Sequence, residues 1–234
     1  MKISELSVFL PTYNEEDNIR DVVLNTKKVL ETVVPKWEIT VVNDGSRDNT
    51  RQVIEKLGRE DKRIRIANHV ENRGYGAALK TGFYNAKYQW IAFTDSDGQF
   101  DFSEITKLIT KHEETDADLV IGYYKKRQVS ALKIITSRLW EFAVFVLFGL
   151  KVHDIDCGFK LISSAVFKKI PHLESERGAF ISSELLIKAR KSGFKIIEVP
   201  VTHYPRLMGT GTGRNLNVII TSFIDLLRLW KKLK

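Results

Sequence analysis

The feature that most constrains this chain is an apolar run that ends in two acidic residues. Residues 90–93 (WIAF) are strand formers, and residues 95–99 (DSDGQ) follow them. The pattern predicts a buried strand that carries Asp95 and Asp97 to the carboxyl edge of a sheet, where open α/β sheets bind ligands. Two carboxylates and the amide oxygen of Gln99 suit a hard divalent cation, Mg²⁺ or Mn²⁺. Taken alone, the same residues also fit a solvated Asp/Gly turn.

Strand-length apolar runs alternate with helical patterns through the first half of the chain. Strands are predicted at residues 6–10, 37–42, 63–67, 90–93 and 119–122, with helices between them. Alternation at this spacing is typical of βαβ units with right-handed crossovers. The predicted fold class is therefore α/β, with a Rossmann-like, mostly parallel sheet flanked by helices.

The second half of the chain has a different character. We predict one domain over residues 1–234, because this length supports a single good core. An apolar helix is expected at residues 130–150 and an amphipathic helix at residues 216–233. Each helix either docks on the core or lies on a membrane surface. No signal peptide is expected, and no apolar run approaches the roughly 20 residues of a membrane span, so membrane contact would be peripheral.

Charge and cysteine content narrow the choice of partners. The net charge is +8, from 37 basic and 29 acidic residues, which favours anionic partners such as nucleotide diphosphates or phospholipid head groups. The single cysteine, Cys157, excludes an internal disulfide and fits a reducing, cytoplasmic setting. No basic-aromatic nucleic-acid motif is evident, so no nucleic-acid partner is expected.

Three predicted strands each end in a polar cluster. The clusters are residues 11–15 (PTYNE), 43–46 (NDGS) and 95–99. In a parallel sheet these clusters converge, and gathered carboxylates repel one another unless a cation or a donor lies among them. A glycine-rich turn at residues 72–78 (NRGYGAA) also opens a predicted helix. Its backbone N–H groups could approach a diphosphate.

Together these motifs resemble those of the family 2 inverting glycosyltransferases of the GT-A fold. The resemblance is strongest to the dolichyl- or polyprenyl-phosphate sugar transferases of the dolichyl-phosphate mannose synthase type, and it covers almost the whole chain. The matched motifs occur in the family's order, at residues 11–15, 42–48, 72–77, 95–99 and 198–206. It implies that residues 1–122 bind the nucleotide sugar and that residues 123–234 bind the acceptor.

The resemblance also implies a role for each matched residue. The nucleotide sugar would be bound by Pro11, Tyr13, Glu15, Asp44, Gly74, Gly76, Ala77 and Asp95. The metal, Mg²⁺ or Mn²⁺, would be held by the catalytic group Asp95, Asp97 and Gln99. The acceptor phosphate would be bound by the cations Arg138, Lys160, Arg206 and Arg214, since Arg recognises phosphate in a bidentate manner.

Several of these assignments carry alternatives. Arg138 is either a phosphate ligand or an exposed side chain whose stem lies along its helix. The family usually carries a Ser-Lys pair where this chain has Gly213 and Arg214, which puts the role of Arg214 in doubt. Asp156 and Glu184 also match family acids, and we expect them to position other groups rather than to catalyse.

The implied activity is inverting, metal-dependent transfer of one hexose from GDP-mannose or UDP-glucose to dolichyl or polyprenyl phosphate. Mannose is favoured, and the site of action would be the cytoplasmic face of a membrane. One alternative is the same fold acting on a glycan, another lipid or a protein. A second is a sugar-phosphate nucleotidyltransferase, which typically has a basic glycine-rich loop where this chain has residues 11–15. A third is a non-catalytic surface binder, which retention of Asp95 and Asp97 disfavours.

Overall fold

The computed structural model describes residues 3–124, 131–176, 178–206 and 216–234, and their strands form one seven-stranded sheet. The strands are β1 (Glu5–Thr12), β2 (Lys36–Asn43), β3 (Ile64–Asn68), β4 (Trp90–Phe93), β5 (Leu119–Tyr124), β6 (Lys160–Ser163) and β7 (Ile196–Val201). The helices are α1 (Ile19–Val33), α2 (Thr50–Glu60), α3 (Tyr75–Asn85), α4 (Ile105–Thr115), α5 (Ala131–Phe148), α6 (Ser164–Lys169), α7 (Phe180–Lys191) and α8 (Leu216–Leu233). A short 3₁₀ helix, Phe102–Glu104, precedes α4.

The strand order is β3-β2-β1-β4-β6-β5-β7. The pairs β1–β2, β1–β4, β2–β3 and β5–β7 are parallel, whereas β6 runs antiparallel to both β4 and β5. The predicted α/β class and the mostly parallel sheet are therefore confirmed. Because β1, β2 and β4 are parallel neighbours, their carboxyl ends lie at one edge, as the sequence predicted.

Strand β6 and helices α6 and α7 were not predicted. Strand β6 has only four residues and begins with Lys160, so its apolar pattern is too short to identify. Helix α7 is buried on nearly all sides, including Glu184 and Lys188, and this removes the amphipathic stripe on which helix prediction depends.

Two apolar layers hold β1 and β4 in place. Alternate residues of β1 face opposite sides of the sheet, so Leu6, Val8 and Leu10 pack in one layer and Phe9 packs in the other. The ring of Phe9 stacks on Phe93 at 5.2 Å and meets Phe83 of α3 edge-on at 4.9 Å. Burial of each such ring stabilises the fold by about 1.5–3 kcal/mol. This packing fixes the strand ends from which the polar clusters extend.

Helices α5 and α8 pack against each other and leave an apolar surface exposed. Trp140 of α5 meets Phe223 of α8 edge-on at 5.0 Å. The inward residues Val144, Leu226 and Leu229 are buried, so both helices dock on the core. The outward residues, which we call the apolar face, are Leu139, Phe142, Phe145, Val146, Phe223, Ile224 and Leu227. Within the described part of the chain, every helix is too short or too polar to cross a bilayer.

Candidate active site

Residues 95–99, which follow β4 and which we call the acidic loop, lie at the centre of the carboxyl edge of the sheet. The hydroxyl of Tyr75 donates to Asp95 Oδ1 at 2.9 Å. The Ser96 hydroxyl donates to the carbonyl oxygen of Pro11 at 2.8 Å, and the Gln99 N–H donates to Asp97 Oδ1 at 3.1 Å. These bonds tie the loop to β1 and to the glycine-rich turn, so the predicted convergence of Asp95, Asp97 and Pro11 is observed.

Asp95 and Asp97 repel each other at this position. Burial and, to a lesser extent, the charge of Asp97 raise the pKa of Asp95 to about 7, and the bond from Tyr75 opposes this rise. Burial also raises the pKa of Tyr75 well above its ordinary value, so its hydroxyl remains a donor. A carboxylate pair with this repulsion is stabilised by a cation. The donor set therefore fits Mg²⁺ or Mn²⁺, which take oxygen ligands.

The protein supplies only part of a coordination shell. Among the described residues, no group of three or more His, Cys, Asp or Glu side chains is arranged to hold a metal ion. Gln99 donates through Nε2 to the carbonyl oxygen of Tyr204 at 2.8 Å, and this bond holds its amide beside the acidic loop. Ions that keep several waters and substrate phosphate oxygens need only one or two carboxylates from the protein.

Gly158, from the second half of the chain, packs directly against the carboxylate of Asp95. A Cβ atom built on Gly158 would lie 2.2 Å from Asp95 Oδ2, a distance that no side chain tolerates. The contact arises because β6 pairs antiparallel with β4, which places residues just before Lys160 beside residues just after Phe93. The sequence did not indicate this steric role of Gly158, since the antiparallel pairing of β6 was not predicted.

Arg206 connects three parts of the edge. Its guanidinium binds the carboxylate of Glu15 through Nη2, and its Nη1 lies 3.5 Å from Asp97 Oδ2. Burial raises the pKa of Glu15, while the bonds from Asn18 and Arg206 oppose that rise. The structure therefore brings Arg206 and Glu15 together with the acidic loop. A basic side chain at this position can meet a diphosphate or an acceptor phosphate.

Asp44 is buried and holds the glycine-rich turn. Its Oδ1 accepts from the N–H of Arg73 at 2.9 Å, and its Oδ2 accepts from the N–H of Gly74 at 2.8 Å. His69 Nδ1 also lies 2.6 Å from Oδ1. Asp44 therefore holds the glycine-rich turn in place by accepting from its backbone N–H groups, a role that the sequence did not predict. Its predicted contact with a nucleotide stays a prediction.

Loops from the first two strands are joined to each other. Asn14 has a φ of 53° and accepts from the N–H of Arg47 through Oδ1 at 2.9 Å. The N–H of Asn14 donates to Ser46 Oγ at 2.9 Å. Asp48 accepts from the N–H of Glu16 at 3.1 Å. This network sets the backbone on both sides of Tyr13, which is half-buried at the edge.

The N-terminus of α3 is covered by a segment that no motif identified. Gly74 has a φ of 102°, which requires glycine. A Cβ on Gly76 would lie 2.8 Å from the carbonyl oxygen of Glu176, and the N–H of Ala77 donates to the same oxygen at 2.9 Å. The glycine-rich turn therefore lies beside the acidic loop as predicted, but part of its N-terminal surface contacts Glu176.

Of the other predicted cations, Lys160 lies close enough to the acidic loop for its charge to lower the pKa of Asp95. Lys160 is fully buried, its ammonium donates to the carbonyl oxygen of Cys157, and burial lowers its pKa. Its proposed contact with a phosphate remains a prediction, and its burial is an observation against that role. Arg138 is exposed on α5, as its alternative interpretation requires. Arg214 lies outside the described residues.

A cavity of about 580 Å³ adjoins the acidic loop between α1 and the segment that follows β4. Asp95 and Gly98 of the acidic loop line this cavity, and Val22, Phe100 and Phe102 contribute apolar walls. A cavity of this volume is in the range of small-molecule sites. The acidic loop therefore has accessible space beside it as well as above the sheet edge.

Comparison with known proteins identifies the class that this fold and site define. The family model for glycosyl transferase family 2 matches residues 7–171. This chain belongs to glycosyltransferase family 2.

Two named relatives show which members of the family this chain resembles. The chain is 30% identical to dodecaprenyl-phosphate galacturonate synthase of Rhizobium johnstonii, over 92% of this chain and 64% of the relative. It is 32% identical to dolichyl-phosphate beta-glucosyltransferase of Saccharomyces cerevisiae, over 84% of this chain and 66% of the relative. The chain thus spans just under two thirds of the length of these relatives. The resemblance to polyprenyl-phosphate sugar transferases seen in the motifs is confirmed.

A solved structure shows the same fold. Glucosyl-3-phosphoglycerate synthase of Mycobacterium tuberculosis superposes with a TM-score of 0.72, at 19% identity, over 97% of this chain and 78% of that chain. The expected GT-A fold is therefore confirmed.

Proposed function

We propose that this chain transfers one hexose from a nucleoside diphosphate sugar to a polyprenyl phosphate, with inversion and with a divalent metal. The observation that carries the proposal is the paired Asp95 and Asp97 at the carboxyl edge of a family 2 sheet. Their mutual repulsion, with Arg206 close to Asp97, supports a site for a cation and a diphosphate.

The residues of the site support this chemistry. Asp95 and Asp97 would hold Mg²⁺ or Mn²⁺ beside the amide of Gln99, and the bound ion would neutralise charge that develops on the leaving diphosphate. Arg206 adds a fixed positive charge on the same side. An ionised phosphate acceptor needs little general-base help, and its attack opposite the leaving group inverts the anomeric centre.

The choice of sugar in this proposal rests on the names of the relatives and not on contacts in the site. The motifs favoured mannose, whereas several of the named relatives are dolichyl-phosphate beta-glucosyltransferases and one is a galacturonate synthase. A solved structure of the same fold carries Mn²⁺ and UDP-glucose. These findings support UDP-glucose, the alternative donor, over GDP-mannose.

The acceptor assignment is supported by the apolar face. Phe142 and Val146 are 64% and 61% exposed, and Leu227 of α8 is 51% exposed. Large exposed apolar patches mark interaction surfaces, and amphipathic helices with basic ends lie in membrane interfaces. Lys231 and Lys232 form such an end in α8. We therefore propose peripheral binding at the cytoplasmic face of a membrane, where a polyprenyl phosphate would be presented.

The decisive experiment is a transfer assay with a short polyprenyl phosphate and Mg²⁺ or Mn²⁺. Radiolabelled UDP-glucose, GDP-mannose, UDP-galactose and UDP-N-acetylglucosamine are supplied in parallel. We expect a lipid-extractable product from one donor, UDP-glucose, and loss of that product on chelation. Product from GDP-mannose alone would restore the mannose assignment. Slow metal-dependent donor hydrolysis without lipid product would retain the glycosyltransferase and contradict the polyprenyl acceptor.

A further inference from the structure

Glu184 of α7 is a buried carboxylate with a complete set of donors. Its side chain is 2% exposed. Oε1 accepts from the N–H of Glu174 at 2.8 Å and from Lys188 Nζ at 2.5 Å. Oε2 accepts from the N–H of Ser175 at 2.9 Å and from the Ser175 hydroxyl at 2.6 Å. Four donors on two oxygens leave this carboxylate engaged in structure, so it is a poor candidate for a general base.

Lys188 bonds to Glu184 and to the same stretch of backbone. It lies one turn further along α7, is 1% exposed, and donates to the carbonyl oxygen of His172 at 2.7 Å. Although burial raises the pKa of Glu184, the bonds from Lys188 and Ser175 hold it below its ordinary value. The buried pair therefore holds residues 172–176, which we call the strap, through three points of the backbone. Breaking such a pair leaves an uncompensated buried charge.

The other end of the strap lies on the glycine-rich turn. The carbonyl oxygen of Glu176 accepts from the N–H of Ala77 at 2.9 Å. The Glu176 carboxylate pairs with Arg73 and with Lys80, each at 3.0 Å. Because the turn packs directly on this segment at Gly76, displacement of the strap would release the first turn of α3.

The first residue of α3 is Tyr75, whose hydroxyl donates to Asp95. We propose that Glu184 is a positioning residue for Asp95, acting with Lys188 through the strap and Tyr75. This inference rests on the proposed function only in treating Asp95 as a metal-binding acid. It gives α7, from the second half of the chain, a defined role in the site on the first half.

The test begins in the metal-free, full-length protein, with Glu184→Gln and the matched control Glu38→Gln. Glu38 is a buried carboxylate that also accepts from a backbone N–H, that of Lys87, and pairs with Arg65, but it is anchored near the opposite edge of the sheet. We expect hydrogen exchange at the amides of residues 74–79 to rise by roughly tenfold in the Glu184 variant and to stay unchanged in the Glu38 variant.

A second metal-free measurement connects the strap to Asp95. Tyr75→Phe removes the hydroxyl bond and lowers the Tm of the parent protein. In the Glu184→Gln background this loss of Tm should be smaller, because Tyr75 is already displaced. An equal loss in both backgrounds would overturn the proposal. So would unchanged exchange at residues 74–79.

The consequence for the metal is measured by titrating Mn²⁺ in the presence of UDP. We expect Glu184→Gln to weaken Mn²⁺ binding by roughly tenfold, as removal of outer-shell support typically does, and Glu38→Gln to leave it unchanged. Increased exchange with unaltered Mn²⁺ affinity would overturn the positioning role. Failure of the parent protein to bind Mn²⁺ would overturn the proposed function instead, and the two metal-free measurements would still decide this inference.

If Glu184→Gln does not fold, Glu176→Ala tests the same link from its other end. The side chain of Glu176 is 43% exposed and its partners Arg73 and Lys80 are 47% and 17% exposed, so its removal leaves no fully buried charge. Exchange at residues 74–79 should again rise. No change in exchange would show that the strap does not hold the turn.

Discussion

The two halves of the chain build their sides of the site by different means. In the first half, residues 1–122, which form the proposed donor side, loops from β1 and β2 hydrogen-bond to each other through short polar side chains such as Asn14, Ser46 and Asp48. In the second half, the proposed acceptor side, Lys160, Glu184 and Lys188 are buried charges that bond to backbone groups 3 to 16 positions away in the chain.

This difference separates bonds between polar side chains near the surface from bonds made by buried charges. The donor-side bonds join two loops through partly or fully exposed side chains, so the loss of one such bond leaves no buried charge. The acceptor-side charges are compensated only when several elements are assembled, so their loss affects the fold as well as the site. The acceptor side also carries the apolar face, whereas the donor side exposes no comparable patch among the described residues.

The largest expected effect is loss of transfer on removing a donor-side acid. Asp97→Ala should lower the transfer rate by roughly a thousandfold or more, because a metal ligand that stabilises leaving-group charge is lost. The fold should persist, since Asp97 makes few buried contacts. Circular dichroism and the radiolabelled transfer assay measure the two properties. The control is Asp17→Asn, which changes an exposed acid in the loop between β1 and α1. An active Asp97 variant would remove the metal role.

The second-largest effect is expected at Gly158, where the second half of the chain contacts Asp95 of the first half. Gly158→Ala should lower the transfer rate by roughly 10- to 100-fold and destabilise the fold by about 1–3 kcal/mol, because the added methyl overlaps Asp95 Oδ2. Urea unfolding and the transfer assay check this. Gly58→Ala in α2, where a Cβ would lie 3.0 Å from the Ile64 carbonyl oxygen, is the matched substitution away from the site. Full activity in the Gly158 variant would contradict the tight approach.

A third prediction concerns pH. Burial raises the pKa of Asp95 from an ordinary 3.8 to about 7, so its stabilising contribution is complete below about pH 4 and is lost as pH rises through 7. In metal-free protein, Asp95→Asn should therefore become more stable relative to the parent between pH 5 and pH 8. Partial exposure reduces the effect from an upper bound of about 4 kcal/mol to roughly 1–2 kcal/mol.

Urea unfolding at several pH values in chelator measures this difference. Asp21→Asn, at an exposed acid of α1, should show no such trend. Added Mn²⁺ should stabilise the parent more at pH 8 than at pH 5, because the proton and the metal compete for Asp95. A pH-independent difference between Asp95→Asn and the parent would contradict the raised pKa.

The smallest effect on the folded protein is expected at the apolar face. Phe142→Ser combined with Val146→Ser should reduce binding to anionic lipid vesicles by roughly tenfold, through lost apolar burial, with little change in stability at such exposed positions. Vesicle sedimentation measures binding. Val70→Ser, at a fully exposed residue after β3, should bind vesicles normally. Unchanged binding by the double variant would exclude the apolar face as the contact surface.

The sequence predicted the donor side well because its signals are local. Apolar runs of strand length and polar clusters at their ends identify β1, β2 and β4 and their common edge. The position of Asp95, Asp97 and Glu15 at that edge follows from parallel pairing alone. The partners of Asp44 did not follow, because a motif does not specify whether a carboxylate faces a ligand or the adjacent turn.

On the acceptor side the sequence predicted helices α5 and α8 almost to the residue, but it did not predict β6, α7 or the strap. The antiparallel direction of β6 depends on chain geometry far from Lys160, and no periodicity reports it. The strap is irregular backbone, and its importance lies in carbonyl and amide groups that every residue shares. Glu184 was matched to a family acid, yet its four donors come from residues whose positions only the tertiary structure reveals.

The antiparallel pairing of β4 with β6 also has a consequence for the order of folding. Strand β4 pairs on one side with β1 and on the other with residues 160–163, about seventy positions later in the chain. During synthesis, the apolar Trp90–Phe93 segment therefore remains an open edge until β6 emerges. Such an edge is a template for association with other nascent chains. The acidic loop acquires its last neighbour, Gly158, only at that late stage, so a truncated chain carries both aspartates without a finished site.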